Sequence, residues 1–179
     1  MQTHELGFTF SVGMGFHHVD NSLFLGGGTD YVKYFSKFRK VLPSGRVTEL
    51  QKMKIPKFIF PMAFWKESNS LFTLGGCNKH GLNEVEEFLP SKNRWTSHSR
   101  LPEASYGSSA VVLNSVIYVI GGDPSSHSAM WCSLAYDAPF MWKFMDLPNY
   151  NFQRYWCREA FVVGKSIVYF VSNYRETFL

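Results

Sequence analysis

One phrase recurs along this chain: an apolar run that ends in two glycines. It stands at Leu23–Gly28, Leu71–Gly76 and Val116–Gly122, and a fourth copy, Ile167–Asn173, lacks both glycines. With Gly27, Gly75, Gly121 and Ser172 taken as equivalent, the intervals are 48, 46 and 51 residues. A fixed period of this length marks one supersecondary unit used several times over, because a unit this small cannot bury both of its faces alone. Other landmarks repeat with the glycines. After Gly75 come Phe88, Trp95 and Leu101-Pro102; after Gly121 come Tyr136-Asp137, Trp142 and Leu147-Pro148. The tryptophan follows its first glycine by 20 residues in one unit and 21 in the other, so the period is carried at several positions.

Each unit reads as four short strands. In the third, strand a is Ser109–Leu113 and strand b is Val116–Ile120, joined by a tight turn at Asn114-Ser115. Strand c ends near Tyr136 and strand d runs around Met141–Met145. The paired glycines end strand b, where backbone must pass close to backbone or take positive φ. Aromatic residues make up 17% of the chain, which suits β-strands broken by glycine turns.

The order apolar run, Gly-Gly, Tyr-Asp, Trp resembles the kelch repeat, and Gly121-Gly122, Tyr136-Asp137 and Trp142 carry it most fully. The second unit matches at Gly75-Gly76 and Trp95, with Phe88 in place of Tyr. The first keeps Gly27-Gly28 but has Val47-Thr48-Glu49-Leu50 where Trp is expected. The resemblance implies an all-β fold, a partial, open kelch-type β-propeller of four-stranded antiparallel blades. The chain is expected to be a single repeat region, 1–179, with blades at about 13–57, 58–104 and 105–150 and a partial blade at 151–179. An open end exposes sheet edges and one apolar face, which invites self-association or completion of the ring by a partner.

Catalytic and cofactor motifs fail when tested. Gly164-Lys165-Ser166 ends like a phosphate-binding loop, but Glu159 stands where the loop needs its first glycine. Gly13-Met14-Gly15 is followed by His18 where a dinucleotide site needs glycine. His17-His18 are adjacent, so a strand points them to opposite faces. Cys77, Cys132 and Cys157 form no C-x-x-C pair and suit a reducing compartment. Some kelch-like propellers are copper-radical oxidases, and here the cysteines with His80 and His127 would have to supply that chemistry. The expectation is a chain that is not an enzyme, with no cofactor and no metal. The net charge of +4 is too small and too scattered for a nucleic-acid footprint. No apolar run approaches a membrane span, and the start lacks a signal-peptide pattern, so the chain reads as cytoplasmic.

What remains is protein binding. In related kelch proteins the propeller surface recruits partners to cytoskeletal assemblies or to ubiquitin ligases. The ligase kind usually carries a helical assembly domain, and none is visible in these residues, so a scaffold role is expected. Strand parity puts the b–c loops (Cys77–Asn83, Asp123–Ala129) and the d–a loops (near Pro56–Phe60, Pro102–Tyr106 and Pro148–Trp156) at one end of every blade. The third d–a loop holds Phe152, Arg154, Tyr155 and Trp156, residue types that dominate interface hot spots, with the alternative that Tyr155 and Trp156 already begin the next strand and pack inward. Arg154 is expected to lead this partner-binding set, with Lys79, His80 and His127 on the same face.

Overall fold

The computed structural model describes residues 11–123, 129–135, 140–147 and 155–173, with backbone alone for 155–158 and 171–173. Its strands form consecutive antiparallel meanders. Sheet 1 is β1 (Gly15–Val19), β2 (Ser22–Gly26), β3 (Phe38–Val41) and β4 (Val47–Glu49). Sheet 2 is β5 (Met62–Trp65), β6 (Ser70–Leu74), β7 (Val85–Leu89) and β8 (Arg94–Ser97). Sheet 3 is β9 (Ser109–Leu113), β10 (Val116–Ile120), β11 (Ala129–Ser133) and β12 (Lys143–Met145). Sheet 4 is the hairpin β13 (Tyr155–Val163) and β14 (Ser166–Asn173).

Local chemistry sets the hairpins. Asn114 and Ser115 have φ of 52° and 54°, and Asp20 and Asn21 have 43° and 58°. Two successive left-handed residues form the turn whose twist matches the flanking strands, and Asn and Asp tolerate that region best.

Every strand alternates between two faces, and both faces of each inner sheet are covered by a neighbour. Phe24 and Phe38 of sheet 1 pack on Met62, Leu71, Phe88 and Trp95 of sheet 2. On the opposite face of sheet 2, Phe72 and Leu74 pack on Ile117, Val119, Met130 and Cys132 of sheet 3. Val111, Ile120 and Ala129 then meet Ala160, Ile167 and Tyr169 of sheet 4. Each large side chain so buried contributes roughly 1.5–3 kcal/mol. The first strands touch in series, β1 with β5, β5 with β9 and β9 with β13, so they line the inner edge and the sheets radiate from it as blades of an open propeller.

The glycine pairs join the blades. The φ values are 67° and 94° at Gly27-Gly28, 55° and 100° at Gly75-Gly76, and 68° and 98° at Gly121-Gly122. The second glycine's N–H donates to the segment entering the next blade: Gly28 to the Lys57 carbonyl at 2.8 Å, Gly76 to the Ser105 carbonyl at 2.7 Å. A Cβ on Gly27 or Gly75 would lie 2.3 Å from those same carbonyl oxygens. The glycines are required by close approach as well as by positive φ.

The tryptophans add a second joint. Trp95 is buried, and its Nε1–H donates to the Gln51 carbonyl of the preceding unit at 2.8 Å. Trp142 repeats the bond, to the Ser99 carbonyl at 3.2 Å, but is only half-buried. The recurrence of both tryptophans at one place in the unit predicts that both are buried between blades; Trp142 is less so because it precedes the short strand β12, whereas Trp95 lies within β8 between Phe38 and Phe88.

One equivalence in the fourth unit also needs correction. Aligning Ser172 with Gly121 would turn Ile167 and Tyr169 away from sheet 3. They instead pack against it, as Ile117 and Val119 pack against sheet 2. The frame is shifted by one residue, and a one-residue shift exchanges the two faces of a strand.

Candidate functional site: the loop face

The b–c and d–a loops meet at one end of the blades, knitted by backbone pairs at equivalent places. Val12 pairs with Thr29, Phe58 with Cys77, and Tyr106 with Asp123. A second ladder runs from unit to unit: Ile59 N–H donates to the Gly13 carbonyl at 2.7 Å, and Gly107 N–H to the Ile59 carbonyl at 3.1 Å. Side chains fasten the same face. The Tyr34 ring stacks on Phe58 at 5.6 Å, tying the first b–c loop to the following d–a loop. The Tyr106 hydroxyl donates to the Asp123 carboxylate. The result is a rigid platform made of loops, the arrangement in which recognition residues are usually displayed.

Among the described large hydrophobic side chains, the two most exposed stand on the first b–c loop of this face. Tyr31 and Val32 are 82% and 81% exposed at its tip. The loop is held by its own polar groups: Asp30 Oδ1 accepts from the N–H of Val32 at 3.0 Å and of Lys33 at 2.6 Å. Thr29 Oγ1 accepts from Tyr31 N–H at 2.9 Å and donates to the Lys33 carbonyl at 2.8 Å. These backbone hydrogen bonds hold the Asp30 carboxyl below its usual range. Tyr31 has φ of 70°, a conformation rare for a bulky residue. The loop therefore presents a large side chain to solvent from a backbone whose ordering cost is already met within the loop. A cleft of about 350 Å³ opens beside this loop, walled by Val12, Thr29, Asp30, Phe35, Lys37 and Arg39.

Of the residues expected to bind partners, Lys79 and His80 are exposed on the second b–c loop, where the Asn78 side chain orders the turn by accepting from His80 N–H. Phe152, Arg154 and His127 lie outside the described residues, as does the repeat position Tyr136. Tyr155 and Trp156 are corrected from loop to strand: β13 begins at Tyr155, and the two residues pair with Asn173 and Ser172. Their aromatic side chains favour strand over loop. Tyr31 and Val32 were not singled out from sequence. The signal was Thr29-Asp30 ahead of them, two residue types that bond to backbone two or three positions on and build rigid turns.

Of the positions weighed for oxidase chemistry, His127 and the Cys157 side chain lie outside the described residues. Cys77 and Cys132 are free thiols, and burial pushes both above the usual thiol range, away from the reactive thiolate. Cys77 is half-buried on the loop face, whereas Cys132 is buried in the junction of sheets 2 and 3. Among the described residues no three His, Cys, Asp or Glu side chains gather as metal ligands. At the inner edge His17 is held below the usual histidine range, by burial and then by His18. No helix among the described residues is long and apolar enough to cross a membrane.

No family model matches the chain. It is similar to the kelch repeat and BTB domain-containing protein 1 of Ectromelia virus (strain Moscow), at 26% identity over 110 residues, 58% of this chain and 19% of the relative. The proteins of the same name from Cowpox virus (strain Brighton Red) and Camelpox virus (strain CMS) match with the same identity and coverage. The chain thus spans about a fifth of the length of these relatives. This similarity and the run of four-stranded antiparallel sheets fit a kelch-type repeat family.

Proposed function

We propose that this chain is a non-catalytic protein-interaction module that holds its partner on the b–c and d–a loop face. The observation that carries the proposal is the first b–c loop, where Asp30 and Thr29 fix the backbone and leave Tyr31 and Val32 in solvent. Tyrosine on a preorganised loop is the commonest kind of interface anchor, giving large contact area for few rotatable bonds. Lys33, Lys79 and His80, exposed on the same face, supply a polar rim. A role as the recognition arm of a longer, multidomain protein, such as a ubiquitin-ligase adaptor, is a second reading. It is favoured by relatives about five times the matched length whose name joins kelch repeats to a BTB domain. The cytoplasmic setting expected from the scattered cysteines belongs to the same proposal.

The test is a quantitative pull-down from native extract with the parent chain and Tyr31→Ala. Partners retained by the parent should bind the variant at least about tenfold more weakly, the scale of a hot-spot loss. The melting temperature should stay nearly unchanged, because the Tyr31 side chain is largely in solvent. Equal retention by both proteins would remove the first b–c loop from the binding site.

A further inference from the structure

The two ends of the blade series carry the two halves of the junction that the chain uses internally. On the face of each sheet that looks back to its predecessor, the inner strand places a residue opposite the one standing two before the first glycine. In sheet 2 this is Met62, opposite Thr73; in sheet 3 it is Ala110, opposite Val119. Both are buried in a junction. The equivalent residue of sheet 1 is Phe16, opposite Leu25, and it is 63% exposed. Leu23 and Val47 on the same face are half-buried.

The forward-looking face of sheet 4 shows the complementary half. The third residue after the a–b turn is Phe24 in sheet 1 and Phe72 in sheet 2, each buried against the next sheet. In sheet 4 that residue is Val168, opposite Phe161. Val168, Phe161 and Phe170 are 41%, 50% and 57% exposed, with the two phenylalanine rings edge to face at 6.2 Å. Val163 continues the same exposed stripe. On the other face of this hairpin Ala160, Ile167 and Tyr169 pack against sheet 3, while Val162, beside the turn, is 41% exposed.

We infer that the chain self-associates head to tail, the forward face of sheet 4 in one copy packing on the backward face of sheet 1 in the next. The occupant follows from continuity. Three junctions inside the molecule join a forward face to a backward face through the inner strands, and a second copy presents the missing half of each. The two faces also bring no unpaired like charges together: Glu159 lies on one, and His18 with the Arg39–Glu49 ion pair on the other. Such an interface uses two different patches, so it adds copies in series unless the rotation closes a ring.

Sedimentation velocity on the 179-residue chain across micromolar concentrations tests this, with Phe16→Asp and Phe161→Asp as probes. The parent should form species larger than a monomer as concentration rises. Each variant alone should remain monomeric, since each has lost one of the two patches. Both substitutions fall on exposed side chains, so circular-dichroism melts should match the parent and confirm that each variant folds. Mixed one to one, the variants should form a heterodimer and stop there, because one intact patch survives on each. A parent that stays monomeric throughout, a single variant that associates like the parent, or a mixture that stays monomeric would each overturn the inference.

Discussion

Residue Trp95 shows how one side chain can serve two levels of the structure. Its ring packs edge to face with Phe38 of the preceding blade at 4.9 Å, and its N–H donates to Gln51 of the same blade. Truncation removes a large buried volume and leaves the Gln51 carbonyl without its donor, so Trp95→Ala should cost about 3–5 kcal/mol. Trp142 makes the equivalent hydrogen bond from a half-buried site, and its replacement by Ala should cost clearly less. Denaturant melts of the two variants measure the difference, and equal losses would contradict the burial assigned to Trp142. The pairing of Trp with Gly-Gly was legible in the sequence because both recur at one spacing. The unequal burial was not, since it depends on where β12 begins. Nor was the Tyr31 tip, which owes its exposure to hydrogen bonds made inside its own loop by Thr29 and Asp30.

At the scale of elements, the junction of sheets 2 and 3 contains a polar cluster amid its apolar core. His98 Nε2 lies 2.8 Å from the Glu87 carboxylate, and the His98 ring stacks on Phe140 of the next unit at 4.0 Å. Burial alone would raise the Glu87 carboxyl, but hydrogen bonds from His98 and Ser70 and the charge of His98 outweigh it, leaving it below the usual glutamate range. A carboxyl lowered on folding stabilises the native state above its unfolded value of about 4.3, and that stability is lost as pH falls through the folded value. The parent should therefore lose melting temperature more steeply than Glu87→Gln between about pH 5 and pH 3. Parallel curves would show that Glu87 titrates alike in the folded and unfolded chain. A second buried pair, Lys57 and Glu86 at 2.8 Å, stands where two other units place Ser11 and Ser105 against their glycines. Burial draws the Lys57 ammonium below its usual range against the pull of Glu86. Hairpins and blade order were legible from apolar alternation and turn residues. These ion pairs were not, because each joins residues from different strands or loops whose side chains meet only after the sheets form. The frame of the fourth unit escaped for another reason: without glycines, β14 carries no marker of its register.

For the whole molecule, parity makes one end of the propeller different in kind from the other. The loop end carries b–c and d–a segments that bond across units, whereas the opposite end carries, among the described residues, short turns such as Asn114-Ser115 and Pro90–Asn93. The end was legible in the sequence, since direction alternates strand by strand. The residues that dominate it were only partly so, because the sequence left Tyr155 and Trp156 open between the d–a loop and the next strand, and β13 begins at Tyr155. The account's central claim is that recognition happens at the loop end. A photo-crosslinking side chain at position 32, at the tip of the first b–c loop, and another at position 114, at the opposite end, test it in the same extract. The account predicts partner adducts from position 32 and none above background from position 114. Adducts from position 114 with none from position 32 would place the binding surface on the turn end and contradict it.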